Sequence, residues 1–260
     1  MLHMAHNIGF DGQTVVVTGA GSGIGQDTAV EFGDAGANVV LADADTEGGE
    51  ATADTINDET DGDAMFIEVD VTDNSDVEQM VETATESYGG LDVAFNNAGI
   101  GGTFDETHEI PEENWQAIID VNLSGVWRCL KKEIPAMHDS GGGAIVNTAS
   151  ILGQVGDAGA PAYTAAKHGV VGLTKVAAIE QATEDIRVNA ICPGYVETQM
   201  LDDAGVTTNE QMRSEIEGLH PMQRLGTADE ISDAVLWLAS DGASFATGEA
   251  LAVDGGYLSR

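Results

Sequence analysis

A β-branched run, Thr14 to Thr18, passes directly into Gly19-Ala20-Gly21-Ser22-Gly23-Ile24-Gly25, and helical spacing follows over Gln26–Ala35 and stops at Gly36. This strand, glycine turn and helix restrict the fold more than any other stretch of the chain. Glycines allow a turn tight enough for backbone to lie against a pyrophosphate, and the helix that follows offers unpaired N–H groups and the positive end of its dipole. A glycine-rich turn alone is a weak signal. Between a first strand and a first helix it reads as a dinucleotide-binding loop.

The rhythm of that unit continues. Asn38–Ala42 is a second apolar run, Thr46–Asp58 an acidic helix and Ala64–Val69 a third strand. A helix over Ser75–Tyr88, a strand over Leu91–Asn96, a long helix over Glu112–Ile134, a strand over Gly143–Ala149 and a helix over Pro161–Thr183 follow. Ile186–Ile191 and Leu251–Val253 complete about seven strands. Strands that alternate with helices specify a parallel sheet covered on both faces, so the fold class expected is α/β, a Rossmann-type doubly wound fold. With 260 residues, 42% of them hydrophobic, and no linker or repeat to divide them, residues 1–260 read as one dinucleotide-binding and catalytic domain. Glu197–Leu225, a Met-containing, weakly helical excursion before a helix beginning around Ala228, reads as a substrate-binding lid.

Charge excludes whole classes of partner. Asp and Glu number 45 against 9 Lys and Arg, a formal net charge of −36, which rules out polyanions such as nucleic acid and strains the compact state in dilute buffer. The acids are interspersed among periodic apolar positions, so they read as the coat of a folded surface and not as a disordered tract. The Debye length falls to ~3 Å at 1 M salt, which would screen that coat; a halophilic source organism is expected. The longest apolar stretches fall far short of the ~20 residues of a membrane helix, and Met1–Asn7 lacks the pattern of a secretory signal. A cytoplasmic location is expected, with no membrane partner. Cys129 and Cys192 lie in apolar contexts as buried free thiols, and the six scattered histidines give no metal-ligand spacing, so no metal is expected.

Asp43 ends the second strand, where a carboxylate can accept hydrogen bonds from the adenosine ribose hydroxyls and would repel a 2′-phosphate. Neither Ser22 nor Ala44 offers a cation to offset that charge, so the cofactor expected is NAD, with NADP disfavoured. Asp70, with Val71 behind it, is placed for the adenine amino group, and Asn97-Ala98-Gly99 adds a small-residue turn after the fourth strand. Tyr163 and Lys167 lie one helical turn apart on one face, where an ammonium can lower a phenol pKa that is normally ~10. Ser150, at the end of the fifth strand, and Asn122, on the long helix, can reach the same crevice.

These residues, in this order and spacing, resemble the short-chain dehydrogenase/reductase family over essentially the whole chain. The elements are Thr18–Gly25, Asn96-Asn97-Ala98-Gly99, Asn122, Ser150, Tyr163, Lys167 and Pro193-Gly194. The resemblance implies an NAD-dependent oxidoreductase that moves hydride between the nicotinamide and a secondary alcohol or ketone. In it Tyr163 exchanges the proton, Ser150 holds the substrate oxygen, Lys167 bonds the nicotinamide ribose and depresses the Tyr163 pKa, and Asn122 holds a water. It further implies that Gly19, Ser22, Gly23, Ile24 and Gly25 take the pyrophosphate, and that Pro193, Gly194, Val196 and Thr198 contact the nicotinamide. A homotetramer built through the central helices and the C-terminal strand is implied too, Asp254-Gly255-Gly256-Tyr257 resembling that last element. Leu152, Gln154, Gly101, Thr103, Tyr195 and the stretch from Met200 to Leu225 are candidates to line the substrate. An aldose 1-dehydrogenase, a 3-oxoacyl-type reductase and a hydroxysteroid dehydrogenase fit the same pattern. An epimerase or dehydratase and a non-catalytic NAD-binding sensor are the readings from other classes.

Overall fold

In the computed structural model, which describes residues 8–102 and 105–259, seven parallel strands form one sheet in the order β3-β2-β1-β4-β5-β6-β7. They are β1 (Thr14–Thr18), β2 (Asn38–Asp43), β3 (Asp63–Glu68), β4 (Val93–Asn96), β5 (Gly143–Thr148), β6 (Ile186–Pro193) and β7 (Ala250–Val253). Successive β1 side chains leave opposite faces of the pleat and meet apolar partners on each. Val16 packs with Val77 and Met80 of helix α3 (Asn74–Tyr88) and with helices α5 (Val126–Ser140) and α6 (Pro161–Gln181). Val15 and Val17 join Phe32 of α1 (Gly23–Asp34), Ile56 of α2 (Thr46–Glu59) and Val235 of α9 (Ala228–Ala239). The apolar run Val15–Val17 is thus the signature of a strand covered on both sides.

Two expected boundaries give way to packing. α1 begins at Gly23 and not at Gln26, because the low helix propensity of Gly-Ile-Gly is overridden where the backbone must pass close to the preceding turn. The single helix expected over Glu112–Ile134 is in fact α4 (Glu112–Ile119), a π-helical segment (Asp120–Gly125) and α5, which runs through Pro135 to Ser140. Proline removes one hydrogen bond, but Leu130 and Met137, 2% and 0% exposed, fix the helix on both sides of it. The expected lid carries two short helices, α7 (Gln199–Asp203) and α8 (Glu210–Glu217). No described helix is long and apolar enough to cross a membrane.

One acid departs from the surface coat. Glu133 of α5 is fully buried; its Oε2 accepts from Asn96 Nδ2 at 2.9 Å, which also donates to Asn147 Oδ1 at 3.0 Å, and Asn147 Nδ2 donates on to Thr174 Oγ1 at 3.0 Å. Glu133 Oε1 and Asn96 Oδ1 have no hydrogen-bond partner among the described residues. Burial pushes the Glu133 carboxyl up to about 7, against the lowering hydrogen bond from Asn96. The folded chain therefore binds a proton that the unfolded chain releases, and its contribution to stability, present below the usual carboxylate range, is lost as pH rises through about 7. Glu133→Gln should flatten the pH dependence of Tm between pH 5 and 8 and stabilise the fold at pH 8 by ~1–3 kcal/mol; differential scanning calorimetry at matched high salt checks it, and a variant that tracks the parent's slope would rule it out.

Candidate functional site

The sheet order reverses between β1 and β4, and in open parallel sheets that switch point leaves a crevice beyond the strands' C-terminal ends. Here it is a cleft of about 810 Å³. Of the catalytic and cofactor-contacting residues expected from the sequence, all but Gly25 line it.

Gly25 lies beneath the turn. A Cβ at this position would stand 1.9 Å from the Gly19 carbonyl oxygen, so α1 and the turn close on each other only because no side chain intervenes. Gly19 (φ 67°) and Gly23 (φ 56°) adopt the left-handed conformation that glycine tolerates. Ser22 precedes α1 without capping it through its side chain, leaving the first-turn amides for an anion. Asp43 is clamped at the tip of β2: Oδ2 accepts from Gly21 N at 2.7 Å and Oδ1 from Asp45 N at 2.9 Å. The glycine turn and the Asp43 carboxylate together fit the pyrophosphate and ribose of a dinucleotide. Asp70 is exposed beside the buried Val71, and its Oδ1 accepts from Thr72 N at 2.8 Å. Across the crevice, Thr18 Oγ1 accepts from Asn97 N at 3.0 Å and Ala98 N at 3.1 Å, and Asn97 Nδ2 donates to Gly19 O at 3.2 Å, tying the two strand ends together.

The Ser150 hydroxyl lies near enough to the Tyr163 phenol to favour its ionised form. Ser150 also begins a 3₁₀ turn, Ile151–Gly153, where its Oγ accepts from Leu152 N at 3.1 Å. The Lys167 Nζ, on a residue 2% exposed, donates to Thr148 O at 2.7 Å and lies 5.5 Å from the centroid of the Tyr163 ring. Burial pulls Lys167 down to about 8. It pushes Tyr163 up to about 12, with the neighbouring Ser150 hydroxyl opposing. The lowering of Tyr163 expected from its neighbouring ammonium is therefore reversed in this structure: the charge meets the ring and the Thr148 carbonyl, and desolvation of the phenolate dominates. Asn122, in the π-helical segment, is fully buried, and its side-chain amide closes on Ile100, Oδ1 accepting from Ile100 N and Nδ2 donating to Ile100 O, both at 2.8 Å. That pairing fixes the Gly99–Ile100 wall.

Of the substrate-lining candidates, Gly101, Leu152, Tyr195 and Met200 line the cleft. Gln154 turns away and donates to Ala250 O at 3.2 Å, α8 and Leu225 lie off the cleft wall, and Thr103 falls outside the described residues. Pro193, Gly194, Val196 and Thr198 form the wall facing the glycine turn, with Thr198 Cγ2 3.3 Å from where a Cβ on Gly23 would stand. Sequence reasoning missed Asp157, six residues before Tyr163 and on the same wall; in a chain with 45 acids, an Asp in a loop carries no signal of its own.

A family model described as Enoyl-(Acyl carrier protein) reductase matches residues 19–258. The chain is 42% identical over 251 residues to a cyclohexanol dehydrogenase of Acinetobacter sp. (strain SE19), covering 96% of this chain and 97% of the relative. Levodione reductase superposes with a TM-score of 0.92 at 36% identity, over 95% of this chain and 98% of that one. A protein from Agrobacterium tumefaciens provisionally described as a 2-deoxy-D-gluconate 3-dehydrogenase, with bound NADP, superposes with a TM-score of 0.88 at 34% identity over 98% and 99%.

Gly25→Ala should destabilise the fold by ~1–3 kcal/mol, a Tm loss of ~2–4 °C per kcal/mol. Gly156→Ala, where a Cβ meets nothing within 4 Å, should leave Tm unchanged. Equal melting of the two variants would show that the turn does not depend on that close approach.

Proposed function

The chain belongs to the short-chain dehydrogenase/reductase family and is an enzyme acting at alcohol or ketone groups, and on that premise we propose that it oxidises small alicyclic or aliphatic secondary alcohols with NAD, using Tyr163 as acid/base. The observation that carries the reading is the meeting of Ser150, Tyr163 and Lys167 on one wall of the cleft that holds the glycine turn. The bound nicotinamide supplies hydride acceptance. Tyr163 takes the hydroxyl proton in oxidation and returns it to the carbonyl oxygen in reduction. Ser150 donates to that same oxygen and keeps it against the phenol. Lys167, charged below about 8, holds the nicotinamide ribose. Asn122 acts as a positioning residue through its hold on Ile100.

NAD over NADP is supported by charge as well as by Asp43. The chain has no Lys or Arg before Arg128, so β1 to β4 and their helices offer no side-chain cation to a 2′-phosphate. An alicyclic substrate is supported by the relative named cyclohexanol dehydrogenase. A homotetramer is supported by apolar side chains left open on α5 and α6: Trp127, Val176 and Ile179 are 46%, 53% and 80% exposed. Lys131, Lys132 and Lys175, three of the chain's four lysines, lie on those same helices, where they offset the acid coat. Phe245 and Trp237 offer a second open face near the C-terminal strand. The acid coat supports a requirement for high salt and a halophilic source.

NADH formation at 340 nm from cyclohexanol in molar salt tests the chemistry. Tyr163→Phe should lower kcat by ~10²–10⁴-fold while the fluorescence titration of NADH stays that of the parent; retention of most of the activity would contradict the role. Because a phenol held near 12 is almost wholly protonated at pH 7, kcat/KM for oxidation should climb with pH above 7, whereas that for ketone reduction should not climb. A separate light-scattering measurement addresses assembly: Ile179→Glu should reduce the particle mass at fixed salt, and an unchanged mass would exclude the α5/α6 face as an interface.

A further inference from the structure

Past Tyr163 the cleft continues between the 3₁₀ turn, the start of α6 and the first part of the lid, and its wall becomes apolar with Leu152, Ala160, Met200 and Leu201. One polar pair interrupts it. Tyr195 Oη donates to Asp157 Oδ2 at 3.2 Å. The Tyr195 ring is fixed from behind by His220 at 5.7 Å, edge to face, and by Tyr257 at 6.2 Å. His220 is 2% exposed, and its Nε2 accepts from Tyr195 N at 3.3 Å, so the aim of the tyrosine is set by a buried neighbour and not by solvent. Asp157 Oδ1 makes no hydrogen bond among the described residues. Among those residues Lys167 is the one Lys or Arg on the cleft wall, and its ammonium is committed to Thr148; the other charged groups there are carboxylates.

This end of the cleft therefore offers a held hydrogen-bond acceptor in an apolar wall and no cation. We propose that the substrate is an uncharged alicyclic alcohol bearing a second hydroxyl, which donates to Asp157 while the reacting hydroxyl meets Ser150 and Tyr163, and that the same carboxylate turns away substrates bearing carboxylate or phosphate. The proposal rests on the alcohol-oxidising reading given above and makes Asp157 a specificity residue for it. Asp157 is exposed in the open cleft; it discriminates once a bound substrate covers it, because a substrate lacking the donor leaves its solvation unreplaced, and a substrate anion meets it charge against charge.

The test compares kcat/KM for cyclohexanol, cyclohexane-1,2-diol, cyclohexane-1,4-diol, 4-aminocyclohexanol and 4-hydroxycyclohexanecarboxylate, with NAD in molar salt, in the parent, Asp157→Ala and Tyr195→Phe. The parent should prefer one of the diols over cyclohexanol, and Asp157→Ala should lose ~10-fold or more on that diol, through KM, with cyclohexanol turnover unchanged. The carboxylate should improve in Asp157→Ala. Tyr195→Phe, which frees Asp157 from its partner, should retain the diol preference. Diol and cyclohexanol falling together in Asp157→Ala would show a merely structural residue and overturn the proposal, as would a parent that turns over cyclohexanol faster than either diol. A clear preference for the amino alcohol would overturn it in favour of a cationic substrate. Silence of the parent on every alcohol would instead overturn the dehydrogenase reading, and this proposal with it.

Discussion

The contact between Gly25 and the Gly19 carbonyl is the tightest constraint in the fold. A single methyl at position 25 would stand 1.9 Å from that oxygen, and one at Gly19 would stand 2.9 Å from Ala98 Cα. Because neither is present, the turn after β1 can be pressed between the start of α1 and the turn after β4, where the Thr18 hydroxyl takes both amides of Asn97 and Ala98. That junction sets the distance between the two halves of the sheet at the switch point. It also points Gly21 N at Asp43, whose carboxylate is thereby held at the mouth of the cleft and not left to swing with the other surface acids.

Burial then decides the electrostatics of what lines the crevice. The same loss of water that pulls Lys167 down to about 8 pushes Tyr163 up to about 12 and Glu133 up to about 7, each towards its neutral form. A chain carrying −36 overall thus keeps a nearly uncharged interior, with its acid on the outside and the buried Tyr163 and Glu133 driven towards their neutral forms. Lys167 is partnered by the Thr148 carbonyl and not by an acid.

Hydrophobic period and glycine placement made the sheet, its strand count and the glycine turn legible, because Val15, Val16 and Val17 must each find an apolar partner and Gly23 and Gly25 serve few purposes in the first turn of a helix except close approach. The π-helical segment at Asp120–Gly125 was not legible, because widening the turn leaves the apolar spacing of Val121, Val126 and Leu130 close to helical. Pro135 misled in the other direction, since its local cost is visible in the sequence while the packing of Met137 that offsets it is not. The reversed shift of Tyr163 has the same origin. Spacing brings Tyr163 and Lys167 to one helix face, but the direction of the ammonium, towards Thr148 O, depends on the end of β5.

The central claim is that the cleft is a dinucleotide site whose ribose end, governed by Asp43 in a region of the chain without a single Lys or Arg, admits NAD and resists the 2′-phosphate of NADP. Titration of the parent protein with NADH and with NADPH, followed by nicotinamide fluorescence in molar salt, reads this directly. The account predicts saturable NADH binding with NADPH weaker by ~10-fold or more. Equal affinity for the two, or tighter binding of NADPH, would contradict it.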